Sequence, residues 1–153
     1  MKLSVFFSSL LGTGFFPVAP GTAGTIVAAC VYWLLPESWF SSFPANLLFL
    51  SGVCSVSLVS VPIISRAEKI LGHDSGIIVM DEFLGFMLAV AFLPKTFLVL
   101  ILTFVLFRVF DIFKPEPVNL LQKLPQGWGV LADDLMAGIY TNLAVRIILF
   151  FVH

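Results

Sequence analysis

Residues 96–113 read TFLVLILTFVLFRVFDIF. No charge appears until Arg108, and Asp111 follows three residues later. Pro94 before the run and Pro115 after it mark where a helix would begin and end. A helix apolar on every side belongs inside a large protein or inside a membrane. This chain has only 153 residues, too few to surround such a helix with protein on all sides. Similar segments extend outward from it. They run from about Gly21 to Leu35, Ala45 to Ser65, Ile77 to Leu93 and Val130 to Val152. Most approach the ~20 residues of a membrane helix. The first and third are short, so they tilt, sit in the interface or complete a bundle. The predicted fold is all-α: a small multi-pass helical membrane protein of about five apolar helices, forming one domain over residues 1–153.

Composition supports this reading. Apolar residues make up 59% and charged residues 11%, with a net charge of −1. Ordinary soluble domains carry about 25% charged residues. The mean hydropathy is +1.08. These values exclude a disordered chain and a basic-faced nucleic-acid binder, and argue against a water-soluble monomer. The start of the chain does not read as a cleavable signal peptide. Cys30 and Cys54 lie in apolar stretches and read as inert buried thiols, not as a disulfide.

Lys and Arg in the loops set the orientation. With the N-terminus in the cytoplasm and five crossings, Lys2, Arg66, Lys69, Lys114 and Lys123 fall inside and Lys95 outside. Arg146 lies within the last segment and can snorkel.

Ionisable groups are costly in a bilayer, so their positions are informative. Asp81 and Glu82 open the third segment, Arg108 and Asp111 close the fourth with Lys114 just beyond, and Asp133 and Asp134 open the fifth. Counting crossings puts all of them at one cytoplasmic end. Two adjacent acids at a helix start repel, and burial adds a desolvation cost. A metal ion offsets both, although one acid alone would be explained by the helix dipole. Neighbouring helical positions diverge by about 100°, so Asp133 and Asp134 are not expected to serve one ion equally. Four carboxylates from two helix ends suit Mg²⁺ or Mn²⁺ and not zinc.

Arg108, Asp111 and Lys114 form one helical stripe. It is either an internal salt bridge or a phosphate clamp in which Asp111 orients the cation or binds metal. Residues 12–25, GTGFFPVAPGTAGT, approach the first segment rich in glycine, threonine and proline. Thr22 fits an N-cap, and Gly21 with Thr22 would offer backbone N–H groups to an anion. The alternative is a tight structural turn. His73, in the loop before the third segment, is either a general acid or base or simply solvated.

Taken in order, these motifs resemble the phosphatidylglycerophosphatase A family. The matching residues are Gly12, Gly14, Pro17 and Pro20-Gly21-Thr22 with Gly24-Thr25; His73-Asp74; Asp81-Glu82-Phe83 with Gly85; Phe107-Arg108, Phe110-Asp111, Lys114-Pro115 and Pro117; and Gly127, Gly129-Val130, Asp133-Asp134 and Ala137-Gly138. The resemblance implies a Mg²⁺-dependent lipid phosphatase of the bacterial inner membrane, with its active site facing the cytoplasm. That family converts phosphatidylglycerophosphate to phosphatidylglycerol and inorganic phosphate. In this reading Asp81, Glu82, Asp133 and Asp134 hold metal. Arg108, Lys114, Gly21 and Thr22 hold phosphate, and Asp81, Glu82, Asp111 and His73 serve catalysis. The nucleophile is water or an aspartate, with water favoured. Gln122 and Gln126-Gly127 stand where many members have an acid and a Gly-Gly pair, so that loop is assigned no catalytic role.

The rival from another class is a small transporter or ion-binding subunit with a carboxylate-lined site. Transporters place binding groups near the midplane. Here only serines such as Ser55, Ser57 and Ser60 lie there. A purely structural subunit leaves the clustered acids unexplained.

Overall fold

The computed structural model describes residues 2–73 and 75–152. Asp74, second residue of the His73-Asp74 pair, lies outside the described residues. Among the described residues all regular structure is helical. The helices are α1 (Leu3–Ser8), α2 (Pro20–Leu34), α3 (Phe43–Leu71), α4 (Met80–Ala89), α5 (Phe97–Phe113), α6 (Val118–Leu121) and α7 (Gly127–Val152). The five longest of these fall on the five apolar segments.

Local chemistry fixes several boundaries. Pro20 takes the first position of α2, where its missing N–H costs nothing. The Ser42 hydroxyl accepts from Ala45 N at 3.4 Å and starts α3. The Thr96 hydroxyl accepts from Val99 N at 3.3 Å and starts α5. Lys114, in the left-handed conformation, ends α5 just before Pro115.

Two helices, α3 and α7, are long and apolar enough to cross a membrane, against the five apolar crossing segments expected. For α2 and α5 the shortfall has local causes. Pro36 follows α2 and holds it to 15 residues, and α5 has 17. The third segment shortens most: α4 has only ten residues. The bundle surface is apolar, with Leu34 82%, Leu98 78% and Phe150 80% exposed. A patchwork of this kind would aggregate in water and suits lipid. Cys30 and Cys54 are both free, but they are exposed on this outer surface and not buried as expected. Their segments have an inner face in the core, at Ala28, Tyr32 and Val53, and an outer apolar face on which both cysteines lie.

The short α4 lies at the centre, packed against α2, α3, α5 and α7. Phe86 of α4 and Phe107 of α5, both fully buried, meet edge to face with centroids 5.9 Å apart. Between α4 and α7 the backbones almost touch. A Cβ on Gly85 would sit 2.6 Å from the Asp134 carbonyl oxygen, and one on Gly138 would strike the Gly85 carbonyl. Small residues permit this approach, and it brings the starts of α4 and α7 side by side.

The far end of α4 stops inside the bundle, where its last carbonyls cannot rely on water. Asn142 of α7 donates its Nδ2 to Ala89 O at 2.8 Å and Ala91 O at 2.7 Å. Arg146 Nε donates to Asn142 Oδ1 at 2.7 Å and holds that amide in place. Asn46 Oδ1 of α3 accepts from Phe92 N at 2.9 Å. These side chains supply what a further turn of helix would have supplied.

Candidate active site

The starts of α2, α4 and α7 and the end of α5 meet at one end of the bundle. Asp81 and Glu82 occupy the first turn of α4, and Asp134 lies in the second turn of α7. Oxygens of these three carboxylates all lie within 4.8 Å of one another. Asp81 and Asp134 are buried, at 6% and 3% exposure. Asp81 Oδ1, Glu82 Oε2 and Asp134 Oδ2 are each buried without a hydrogen-bond partner. Three such orphaned acceptors at one point are costly unless a cation or protons join them. In α4, outside both candidate spans, burial and then the Glu82 charge hold the Asp81 carboxyl well above the usual carboxylate range.

The neighbouring acids already have cations. Arg108 Nη1 sits 2.5 Å from Asp111 Oδ2. Lys114 Nζ sits 2.6 Å from Asp133 Oδ2. Among the described residues five acids therefore face two cations here, and the three without an ion pair are the three that converge. Their chemistry fits a hard divalent ion: oxygen donors only, with no histidine or cysteine among them.

Arg108 faces the same point. Its Nη1 also donates to the Thr25 hydroxyl at 3.4 Å, while Nε is buried and unpartnered. Gly21 brings the α2 backbone against this pair. A Cβ there would collide with Glu82 Oε1 and lie 3.3 Å from Arg108 Nη1. The result is a cationic donor and a bare helix start beside a carboxylate cluster. Such a pairing can take a metal and a phosphate together.

Asp81, Glu82, Asp134, Arg108, Asp111 and Gly21 are thus brought together, with Asp133 and Lys114 paired alongside. Two residues stand apart. His73 is well exposed, and its Nδ1 lies 2.6 Å from Glu68 Oε1 of α3. Thr22 is not the N-cap: α2 starts at Pro20, and Ala19 takes that position with no side-chain cap. Pro20 fixes the start three residues earlier than the threonine would have. The threonine that reaches the site is Thr25, which also donates to Gly21 O at 2.9 Å. Its spacing of four from Gly21 places both on one helix face, a signal readable in the sequence.

A family model described as Phosphatidylglycerophosphatase A matches residues 6–149. A Haemophilus influenzae protein named phosphatidylglycerophosphatase A is 36% identical over 142 residues, covering 88% of this chain and 81% of its own. An Escherichia coli protein of the same name is 32% identical over 134 residues, covering 84% and 73%. A Bacteroides thetaiotaomicron protein, provisionally named a phosphatidylinositol-3-phosphatase, is 31% identical over 161 residues, covering 96% of each chain. No solved structure matches.

Proposed function

This chain belongs to the phosphatidylglycerophosphatase A family, and from that membership we propose that it hydrolyses the terminal phosphate monoester of phosphatidylglycerophosphate. Water attacks phosphorus and the lipid alcohol leaves, giving phosphatidylglycerol and inorganic phosphate. The observation that carries this reading is the convergence of three carboxylates, each with an orphaned oxygen, with Arg108 meeting Glu82 at Gly21. We place the chain in the bacterial inner membrane as a multi-pass protein, with this site facing the cytoplasm. The exposed apolar surface and two candidate spans support that placement.

Asp81, Glu82 and Asp134 would hold Mg²⁺. The ion would supply charge neutralisation on the phosphoryl oxygens and polarise the phosphorus centre. Arg108 binds a phosphoryl oxygen through its unpartnered Nε, and Asp111 and Thr25 hold the guanidinium in place. Gly21 lets Glu82 and Arg108 close against the α2 backbone, where a side chain would collide with Glu82 Oε1. Asp133 keeps Lys114 at the rim as a second positive charge. His73, paired with Glu68, has no step in this scheme.

The transporter reading gains little from the mid-segment serines. Exposed Ser55 and buried Ser60 bond their own helix, to Ser51 O at 2.8 Å and Val56 O at 2.7 Å. The buried Ser57 hydroxyl has no partner among the described residues, but the three clustered carboxylates belong to α4 and α7, not to its helix α3.

Phosphate release from phosphatidylglycerophosphate in detergent, with chelator and then with Mg²⁺ restored, tests the assignment. Release that chelator stops and Mg²⁺ restores is expected. Release indifferent to chelation overturns the metal, and no release overturns the activity. Phosphatidylinositol 3-phosphate belongs in the same assay, because the Bacteroides relative's name points to that headgroup.

A further inference from the structure

Beside the carboxylates a groove of about 500 Å³ runs between α2, α3 and α4. Its lining is apolar except at one end, where Ser38 and the Trp39 indole stand. Phe83 and Leu84, which directly follow Asp81-Glu82 in α4, form the other end. Successive helical residues turn by about 100°, so one turn of α4 presents acids to the site and apolar side chains to the groove. Val31, Leu48 and Val56 along its edges are 37%, 75% and 48% exposed, which leaves the groove open on its outer side.

Gly52 sits on the groove wall, deep inside the 29-residue α3. A glycine inside a helix weakens it relative to alanine, so a structural reason is expected. At Gly85 and Gly138 the reason is a neighbouring backbone. At Gly52 a Cβ would meet nothing within 4 Å. No helix packs there; what the missing side chain leaves is groove space.

We propose that this groove holds one acyl chain of the lipid whose phosphate occupies the Arg108 and carboxylate site. The proposal rests on the phosphatase reading of that site. Adjacency along α4 carries it: the groove takes in Phe83, the residue after Glu82, and extends to Leu35 at the far end of α2. Gly21, at the site, and Leu35 are separated by about 21 Å of helix. That is the direction an acyl chain takes from a headgroup at the carboxylate end. Bilayer lipid is as apolar as the groove, so the groove adds little affinity. Its contribution is to fix where the headgroup lies relative to Arg108 and the three acids.

The test uses the full chain in detergent, with Gly52→Phe to fill the groove and Gly52→Ala as control. Phosphatidylglycerophosphate with long acyl chains is compared with a dibutanoyl analogue too short to reach the groove. Gly52→Phe should lower kcat/KM at least tenfold on the long-chain lipid while leaving the short-chain value and Gly52→Ala unchanged. Equal loss on both substrates, or loss on neither, overturns the proposal. A changed oligomeric state with an unchanged substrate ratio overturns it in favour of a contact between copies.

A binding readout separates this from failure of the phosphatase reading. With Trp33 and Trp128 replaced by phenylalanine, Trp39 reports on the groove. Its fluorescence should be quenched more by a chain-brominated lipid with a terminal phosphate than by brominated phosphatidylcholine, and Gly52→Phe should remove the difference. Equal quenching by both lipids overturns the groove even if activity stands. Selective quenching without phosphate release keeps the groove and overturns the phosphatase.

Discussion

Asp133 and Asp134 are neighbours in α7 but serve different partners. Asp133 Oδ2 lies 2.6 Å from Lys114 Nζ, while Asp134 converges with Asp81 and Glu82. The Asp133 Oδ1 atom instead accepts from Asp134 N at 3.0 Å. One helical step of about 100° separates the two directions. The pair is a branch point between an ion pair and a candidate metal site, not a chelate.

The two aspartates should therefore fail differently. Asp134→Asn should lower kcat/KM by about a hundredfold or more and raise the Mg²⁺ concentration needed for half-activation. Asp133→Asn should leave that Mg²⁺ requirement nearly unchanged and reduce thermal stability, because it removes the charge paired with Lys114. Magnesium titrations of both variants decide the matter, and identical curves would remove the distinction.

Arg108 carries both an ion pair and the unpartnered Nε. Arg108→Lys keeps the charge but loses the fork. Loss of one charge-assisted contact should cost about 1.5–3 kcal/mol, or roughly one to two decades in kcat/KM. Melting temperature measured alongside separates binding from structure. A variant that melts early but turns over normally when folded would leave Arg108 only its structural bond to Asp111.

The α4–α7 contact should be intolerant of side chains. Gly138→Leu places carbon where the Gly85 carbonyl stands, and overpacking of this kind costs about 1–3 kcal/mol. Because the same contact sets Asp81 against Asp134, activity should fall together with thermal stability. Wild-type stability in this variant would show that the helices separate without cost.

Asn142→Leu should be a stability variant. It removes both donors to Ala89 O and Ala91 O at the end of α4. Side-chain hydrogen bonds within membrane proteins contribute about 0.6–1.7 kcal/mol, so the melting temperature should drop while low-temperature kcat/KM is retained. A large loss of activity without a melting shift would contradict a purely capping role.

The sequence by itself determined the helices and the chemical inventory. Apolar runs punctuated by proline placed α2, α5 and α7 within about three residues, because hydropathy and proline are local properties, while α3 continues from the expected Ser65 to Leu71 through the charged Arg66, Glu68 and Lys69. The acids were visible for the same reason: a charge in an apolar stretch stands out without any knowledge of its partners. Tertiary structure decided what local reading could not. The third segment stops at Ala89 because Asn142 and Arg146, some fifty residues later, cap it. Asp81, Glu82 and Asp134 form one group while Asp133 turns to Lys114, since helix phase and the Gly85–Gly138 approach set which carboxylates meet. Thr25 and the groove at Gly52 likewise depend on which helix faces which. Pairings between distant residues are fixed by packing, and no local pattern encodes them.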